Sequence, residues 1–206
     1  MNRKFYDGLS FVLRPYYNLF WPSRVTGLEN IPETGGFIMC ANHVHWRDPL
    51  FLAVRMPKRR YTYLAKAELY KNKLAALVLG EKGLGGIPIN RGHSDLNAVR
   101  QALKTVSEGH GLGIFPQGTR SRDNTPTPML GGVSMIAVRA NVPIIPVYLD
   151  GPYRAFHHVD VTVGSPVDIS DLGRKYDSET LSEVTRRIET AIWSMRPDPA
   201  KAIGRP

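Results

Sequence analysis

Cysteine is nearly absent from the chain. The single Cys40 rules out an internal disulfide framework and a cysteine-rich zinc shell, and it fits a reducing compartment. Long apolar runs are missing too. No stretch reaches the roughly 18 uncharged apolar residues that a spanning helix needs, so an integral membrane protein is not expected. The opening segment shows neither the apolar core nor the small-residue cleavage site of a secretory leader. No G-x-S-x-G occurs, which leaves no serine nucleophile poised on a strand-to-helix elbow. Acidic residues are scarce, 18 against 27 lysines and arginines for a net charge of +9. That surplus points to anionic partners: nucleic acid, a phosphorylated metabolite, an acidic carrier protein or an anionic membrane surface.

What is present is enough for one core. At 206 residues and 42% hydrophobic content, a single domain is expected. Short runs bounded by Gly or Pro and rich in β-branched or aromatic residues read as strands: 36–41, 60–65, 85–90, 111–116, 142–149 and 159–167. Between them, 49–56, 67–80, 94–109, 131–140 and 179–195 have helical periodicity. The alternation predicts an α/β fold: a single domain with a mixed, mostly parallel sheet flanked by helices. Residues 1–30 form a separate unit in this reading, an N-terminal amphipathic helical segment at a membrane interface, with the α/β domain over 31–206. Phe5, Phe11, Tyr16, Tyr17, Phe20 and Trp21 mix there with Arg3, Lys4, Arg14 and Arg24, a blend suited to a headgroup boundary. Pro15 is expected to interrupt that helix.

Ligand sites in such sheets lie in loops at the carboxyl ends of strands. The loop after the first strand is NHVHWRDP, residues 42–49. Asp48 followed by Pro49 reads as a helix N-cap with proline at the first helical position. His43 offers a neutral imidazole that accepts a proton, and Asp48, five residues on, can fold back to fix its tautomer, so this aspartate is expected to serve both the helix and the base. Arg91 follows the third strand, and Gly118 and Arg120 follow the fourth. The arginines suit a phosphate and the glycine permits close backbone approach. Together they predict a site for an anionic substrate whose hydroxyl loses a proton.

Four blocks in order, NHVHWRD, GGIPINR, FPQGTRS and VPIIPVYL, span 42–149 and resemble those of the glycerolipid acyltransferases, the group that includes the 1-acylglycerol-3-phosphate acyltransferases. AKAEL at 65–69 also sits where that family has a similar string. The resemblance implies transfer of a fatty acyl group from acyl carrier protein or coenzyme A to the free hydroxyl of 1-acylglycerol 3-phosphate, giving phosphatidic acid in phospholipid biosynthesis. It implies His43 as general base, Asp48 as its orienting carboxylate, Arg91 as a phosphate contact, and Gln117, Gly118, Thr119 and Arg120 as the acceptor-binding turn. No metal and no cofactor beyond the thioester cosubstrate are implied. The expected setting is peripheral, on the cytoplasmic face of a membrane, with a lysophospholipid, the acyl donor and an anionic surface as partners. Two positions depart from the pattern: Gln117 replaces the usual glutamate, and Met129 and Leu130 replace the basic residue before Gly131.

Other readings accompany these. The Gln117 departure leaves room for glycerol 3-phosphate or another lysolipid as acceptor. A non-catalytic basic module for membranes or nucleic acid is the remote alternative; the aromatics are not interleaved with basic residues as base-stacking platforms require. Cys40 could act as a nucleophile but is expected in the core. His43 and His45 form an HxH with no third histidine or cysteine spaced to complete a zinc shell. Lys58, Arg59 and Arg60 read as a solvated face that could meet headgroups, and Ile144 and Ile145 as core.

Overall fold

A computed structural model describes residues 3–80, 83–90, 95–121, 123–173 and 176–197 of the chain. The strands are β1 (Val25–Thr26), β2 (Phe37–Ala41), β3 (Tyr61–Lys66), β4 (Ile87–Ile89), β5 (Gly111–Ile114), β6 (Ile144–Leu149) and β7 (Val161–Val163). The helices are α1 (Arg3–Phe20), α2 (Asp48–Arg55), α3 (Lys73–Leu79), α4 (Leu96–Ser107), α5 (Gly132–Ala140) and α6 (Ser178–Trp193). The strands form one sheet in the order β1-β7-β6-β2-β5-β3-β4. Only the β6–β7 pairing is antiparallel among those described. This is the mixed, mostly parallel sheet that the alternation predicts.

The alternation of side chains along each strand builds two cores, because successive residues point to opposite faces. Phe37, Met39 and Ala41 of β2 join Tyr61 and Tyr63 of β3 and Val147 of β6 on one face, under Tyr17 and Trp21 of the N-terminal segment and Phe51 and Leu52 of α2. Ile38 and Cys40 face the other way, against Ala98 and Ala102 of α4, Ile136 and Ala137 of α5, and Ile188 and Ile192 of α6. Cys40 is therefore core, fully buried, with its thiol pushed up to about 12 by desolvation. At Gly113 of β5 a Cβ would meet the Tyr63 ring at 2.3 Å, so glycine makes the space for that aromatic. Helix starts follow their local chemistry: Asp95 accepts from Ala98 N at 3.0 Å ahead of α4, and Asp177 from Thr180 N at 2.7 Å ahead of α6.

Several sequence expectations are corrected. Pro15 does not interrupt α1, which runs unbroken from Arg3 to Phe20. Tyr6 before the proline and Tyr17 after it are both buried, so tertiary packing on each side carries the cost of the lost hydrogen bond. The helix expected over 67–80 is divided into a 3-10 turn, Ala67–Lys71, and α3. Asn72 is extended there and its side chain caps the second piece, accepting from Leu74 and Ala75 N at 3.0 Å. The strand read over 159–167 shrinks to β7: Gly164 N still donates in register to Pro146 O at 2.8 Å, but Pro146 has no N–H to return the bond. β1 carries no periodic signal in its two residues; it lies within the stretch 1–30 and joins the sheet by pairing Val25 with Val161.

Candidate active site

β2 and β5 are central neighbours, and the loops leaving their carboxyl ends meet. Two contacts join them: His43 N donates to Gln117 Oε1 at 2.6 Å and Ser121 N donates to His43 O at 2.8 Å; within the second loop the Gln117 amide nitrogen donates to Thr127 Oγ1. A buried amide knot ties the same turn to β6. Asn42 Nδ2 donates to Asn124 Oδ1 at 2.8 Å and to Leu149 O at 3.0 Å, while Leu149 N donates to Asn42 Oδ1 at 2.7 Å. Asn124, in the left-handed region at φ 55°, donates onward to the Tyr148 hydroxyl at 2.9 Å. The amides leave few lone pairs or protons unused, as burial demands.

On that frame the histidine and aspartate come together. His43 Nδ1 lies 2.7 Å from Asp48 Oδ2, and the same oxygen accepts from Val44 N at 2.7 Å and His45 N at 2.9 Å. Three contacts on one fully buried oxygen fix the carboxylate in place. They also correct the capping role. The N-cap position of α2 is Arg47, no side chain caps it, and Asp48 turns back onto the loop. Pro49 is in the first turn, as expected. The His43 ring stacks on Phe115 at 4.3 Å, and Phe115 stacks on Tyr63 at 5.8 Å. Its Nδ1 engaged and its side chain 14% exposed, His43 has Nε2 left for a substrate.

His43 also lines a cavity of about 1080 Å³. Gly118, Thr119 and Arg120 line it as well, together with Lys66, which pairs with Glu68 at 3.3 Å. The remaining wall is mostly apolar: Leu64, Val78, Leu79, Val99, Ile114 and Ile136 among others. Gly118 needs its glycine, since it has φ +67° and a Cβ would lie 2.5 Å from Leu130 Cδ1. Gln117 is elsewhere: 4% exposed, both ends of its amide engaged, and outside the cavity wall. Arg91 lies outside the described residues.

The surroundings hold further corrections. Lys58, Arg59 and Arg60 are not one solvated face. Arg59 donates to the carbonyls of Pro32, Gly35 and Gly109 at 2.7–2.8 Å and lies over the Phe37 ring, and Arg60 forks onto Asp7 at 2.7 Å. His45 packs on Tyr153 at 5.0 Å and accepts from Arg47 N at 3.3 Å. Partial burial, then the adjoining Arg47 guanidinium, hold its imidazole below the ordinary value and so neutral. No cluster of three His, Cys, Asp or Glu able to hold a metal occurs among the described residues. Residues the motif reading passed over include Phe115, Asn124, Thr127 and Tyr153. Two of them left a trace: Phe115 opens the third block, and Asn124 is an asparagine at a turn just after it.

An α/β sheet with an oriented imidazole at a strand end, opening onto a large apolar cavity, defines a class of enzyme that works on lipid-like substrates. Comparison with known proteins supplies the family. The acyltransferase family matches over residues 22–150, and the chain belongs to it. A 1-acyl-sn-glycerol-3-phosphate acyltransferase of Bacillus subtilis is 27% identical over 174 residues, covering 82% of this chain and 85% of that one. A lyso-ornithine lipid O-acyltransferase of Pseudomonas aeruginosa is 31% identical over 169 residues, 80% of this chain and 60% of that one. The crystal structure of the 1-acyl-sn-glycerophosphate acyltransferase PlsC of Thermotoga maritima superposes with a TM-score of 0.71 at 25% identity, covering 98% of this chain and 80% of that one.

Proposed function

We propose that the protein transfers a fatty acyl group from an acyl thioester to the free hydroxyl of 1-acylglycerol 3-phosphate, forming phosphatidic acid for phospholipid synthesis. The observation that carries this reading is the 2.7 Å contact between His43 Nδ1 and Asp48 Oδ2 in the wall of an apolar cavity. His43 Nε2 takes the proton from the acceptor hydroxyl as its oxygen attacks the thioester carbonyl. Asp48 holds the imidazole in the tautomer that accepts at Nε2 and stabilises the imidazolium. The tetrahedral species then collapses, the carbon–sulfur bond breaks, and the thiol leaves with the proton from His43. The hydroxyl belongs to the substrate, so neither a nucleophile of the protein nor a cofactor beyond the donor is called for. The cavity suits an acyl chain, and Arg120, Thr119 and the Gly118 backbone suit the acceptor phosphate, with Arg91 as a second contact.

The enzyme works from the membrane surface in this reading. No helix among the described residues is long and apolar enough to cross a bilayer. α1 instead exposes Phe11, Val12 and Leu19 on its outer side, which supports a helix lying in a headgroup region; the cytoplasmic leaflet is the side assigned in this reading. A second acceptor class is favoured by one observation: the Pseudomonas relative carries the name of a lyso-ornithine lipid acyltransferase. Purified protein offered lysophosphatidic acid, glycerol 3-phosphate and lyso-ornithine lipid against acyl-CoA and acyl carrier protein decides both acceptor and donor. Phosphatidic acid as the dominant product is expected, and dominant acylation of lyso-ornithine lipid overturns the assignment.

A further inference from the structure

Asp48 uses only one of its oxygens. Oδ2 takes all three donors, whereas Oδ1 is buried without a hydrogen-bond partner. A carboxylate oxygen in that state is costly, and native folds rarely leave it so. A second buried orphan lies beside it. Tyr153, in the loop after β6, packs edge-on against Phe51 of α2 at 5.4 Å and lies tilted over His45 at 5.0 Å, so its ring covers the turn that contains Asp48. Its hydroxyl is likewise shielded from solvent and meets no partner in full hydrogen-bond geometry, although the Asp48 side chain acts on it at hydrogen-bonding range.

We propose that Tyr153 is the outer positioning residue of the catalytic pair, donating its hydroxyl proton to Asp48 Oδ1 on the side opposite His43. The bond satisfies both orphans and makes the carboxylate a bridge, imidazole on one oxygen and phenol on the other. The phenol is suited to donate: burial first, and then the Asp48 carboxylate, hold it well above its ordinary value, so it keeps its proton throughout the working range. By taking up part of the charge at Oδ1, it makes Asp48 a weaker base, which limits how strongly the imidazolium is stabilised. His43, His45 and Arg47 of the turn, Tyr17 of α1 and Tyr63 of β3 also face Asp48, and none of them reaches Oδ1 with a hydrogen bond.

This inference rests on the proposed role of His43, and the test separates the two. Tyr153→Phe keeps the ring packing and removes only the donor. The acid limb of the kcat/KM profile with lysophosphatidic acid is expected to move up by about half to one pH unit, because the unshared carboxylate pulls harder on the imidazolium proton. The acceptor KM at the plateau stays the same, and Tyr153→Leu gives the same displaced limb in whatever fraction folds. An acid limb that stays put or moves down in Tyr153→Phe, with or without a lowered Tm, reduces Tyr153 to packing and overturns the proposal. A raised acceptor KM with a fixed limb makes it a substrate contact and does the same. His43→Ala is run alongside. If that variant keeps its turnover, the base assignment itself fails, whereas an inactive His43→Ala with an unchanged Tyr153→Phe limb defeats only the role of Tyr153.

Discussion

Gln117 shows how far a residue's meaning depends on where its side chain goes. As a departure from the family's usual glutamate it invites a change of acceptor, yet its carbonyl holds His43 N and its amide holds Thr127, away from the cavity. Those two bonds brace the loop that carries His43. Gln117→Glu is therefore expected to leave the ratio of kcat/KM values for lysophosphatidic acid and glycerol 3-phosphate within about twofold. Gln117→Ala strips a partner from a buried N–H, and denaturant titration should show a loss of about 1–3 kcal/mol. At His43 the outcome differs in kind. In the proposed role of general base, His43→Ala should cost about 10²- to 10⁴-fold in turnover with an unchanged circular dichroism spectrum, since the backbone of residue 43 carries the hydrogen bonds that join the loops. The sequence supplied the identities here. That Oδ2 of Asp48 would take three donors, and that the helix would begin without a side-chain cap, depended on how the loop closed.

At the scale of elements, α1 has two sides that do different work. Tyr17 and Trp21, on and just past its last turn, are core residues of the main sheet face, while Phe11 is 81% and Val12 67% exposed. Substitutions on the two sides should separate accordingly. Tyr17→Ala costs about 3–5 kcal/mol of stability by opening a cavity against Phe51. Phe11→Asp with Val12→Asp should leave Tm unaltered and weaken vesicle sedimentation severalfold, because the apolar area and not the fold is lost. In α4, Val99 lines the cavity. Val99→Trp fills part of that space and should shift the preferred donor toward shorter acyl chains in competition assays, with the acceptor KM unchanged. The strands were largely legible as short apolar runs between Gly and Pro. Pro15 and Asn72 were harder to read: one lies inside a continuous helix and the other divides an expected one, because buried tyrosines on both sides outweigh a proline penalty and an asparagine side chain competes for the backbone.

For the whole molecule, the +9 charge becomes a statement about association. Raising the salt from about 0.1 M to 1 M shortens the screening length from about 10 Å to about 3 Å. Binding to vesicles rich in anionic lipid should fall steeply over that range, while binding to neutral vesicles, carried by apolar burial, should hold. The basic residues are not interchangeable in this respect: Arg59 and Arg60 are committed to loop carbonyls and to Asp7, a distinction that composition cannot make. By itself the chain's order of residues determined the α/β class, the succession of strands from β2 to β7, the burial of Cys40 and the candidate base with its carboxylate, because periodicity, turn residues and a five-residue spacing are local properties. Only the tertiary structure decided that the Gln117 amide is engaged by His43 N and Thr127, that Tyr153 lies over Asp48 from 105 residues away, and that His43 opens onto an apolar cavity. Each depends on which chain-distant surfaces meet when both faces of the sheet are covered, and packing settles that only once every element has been placed.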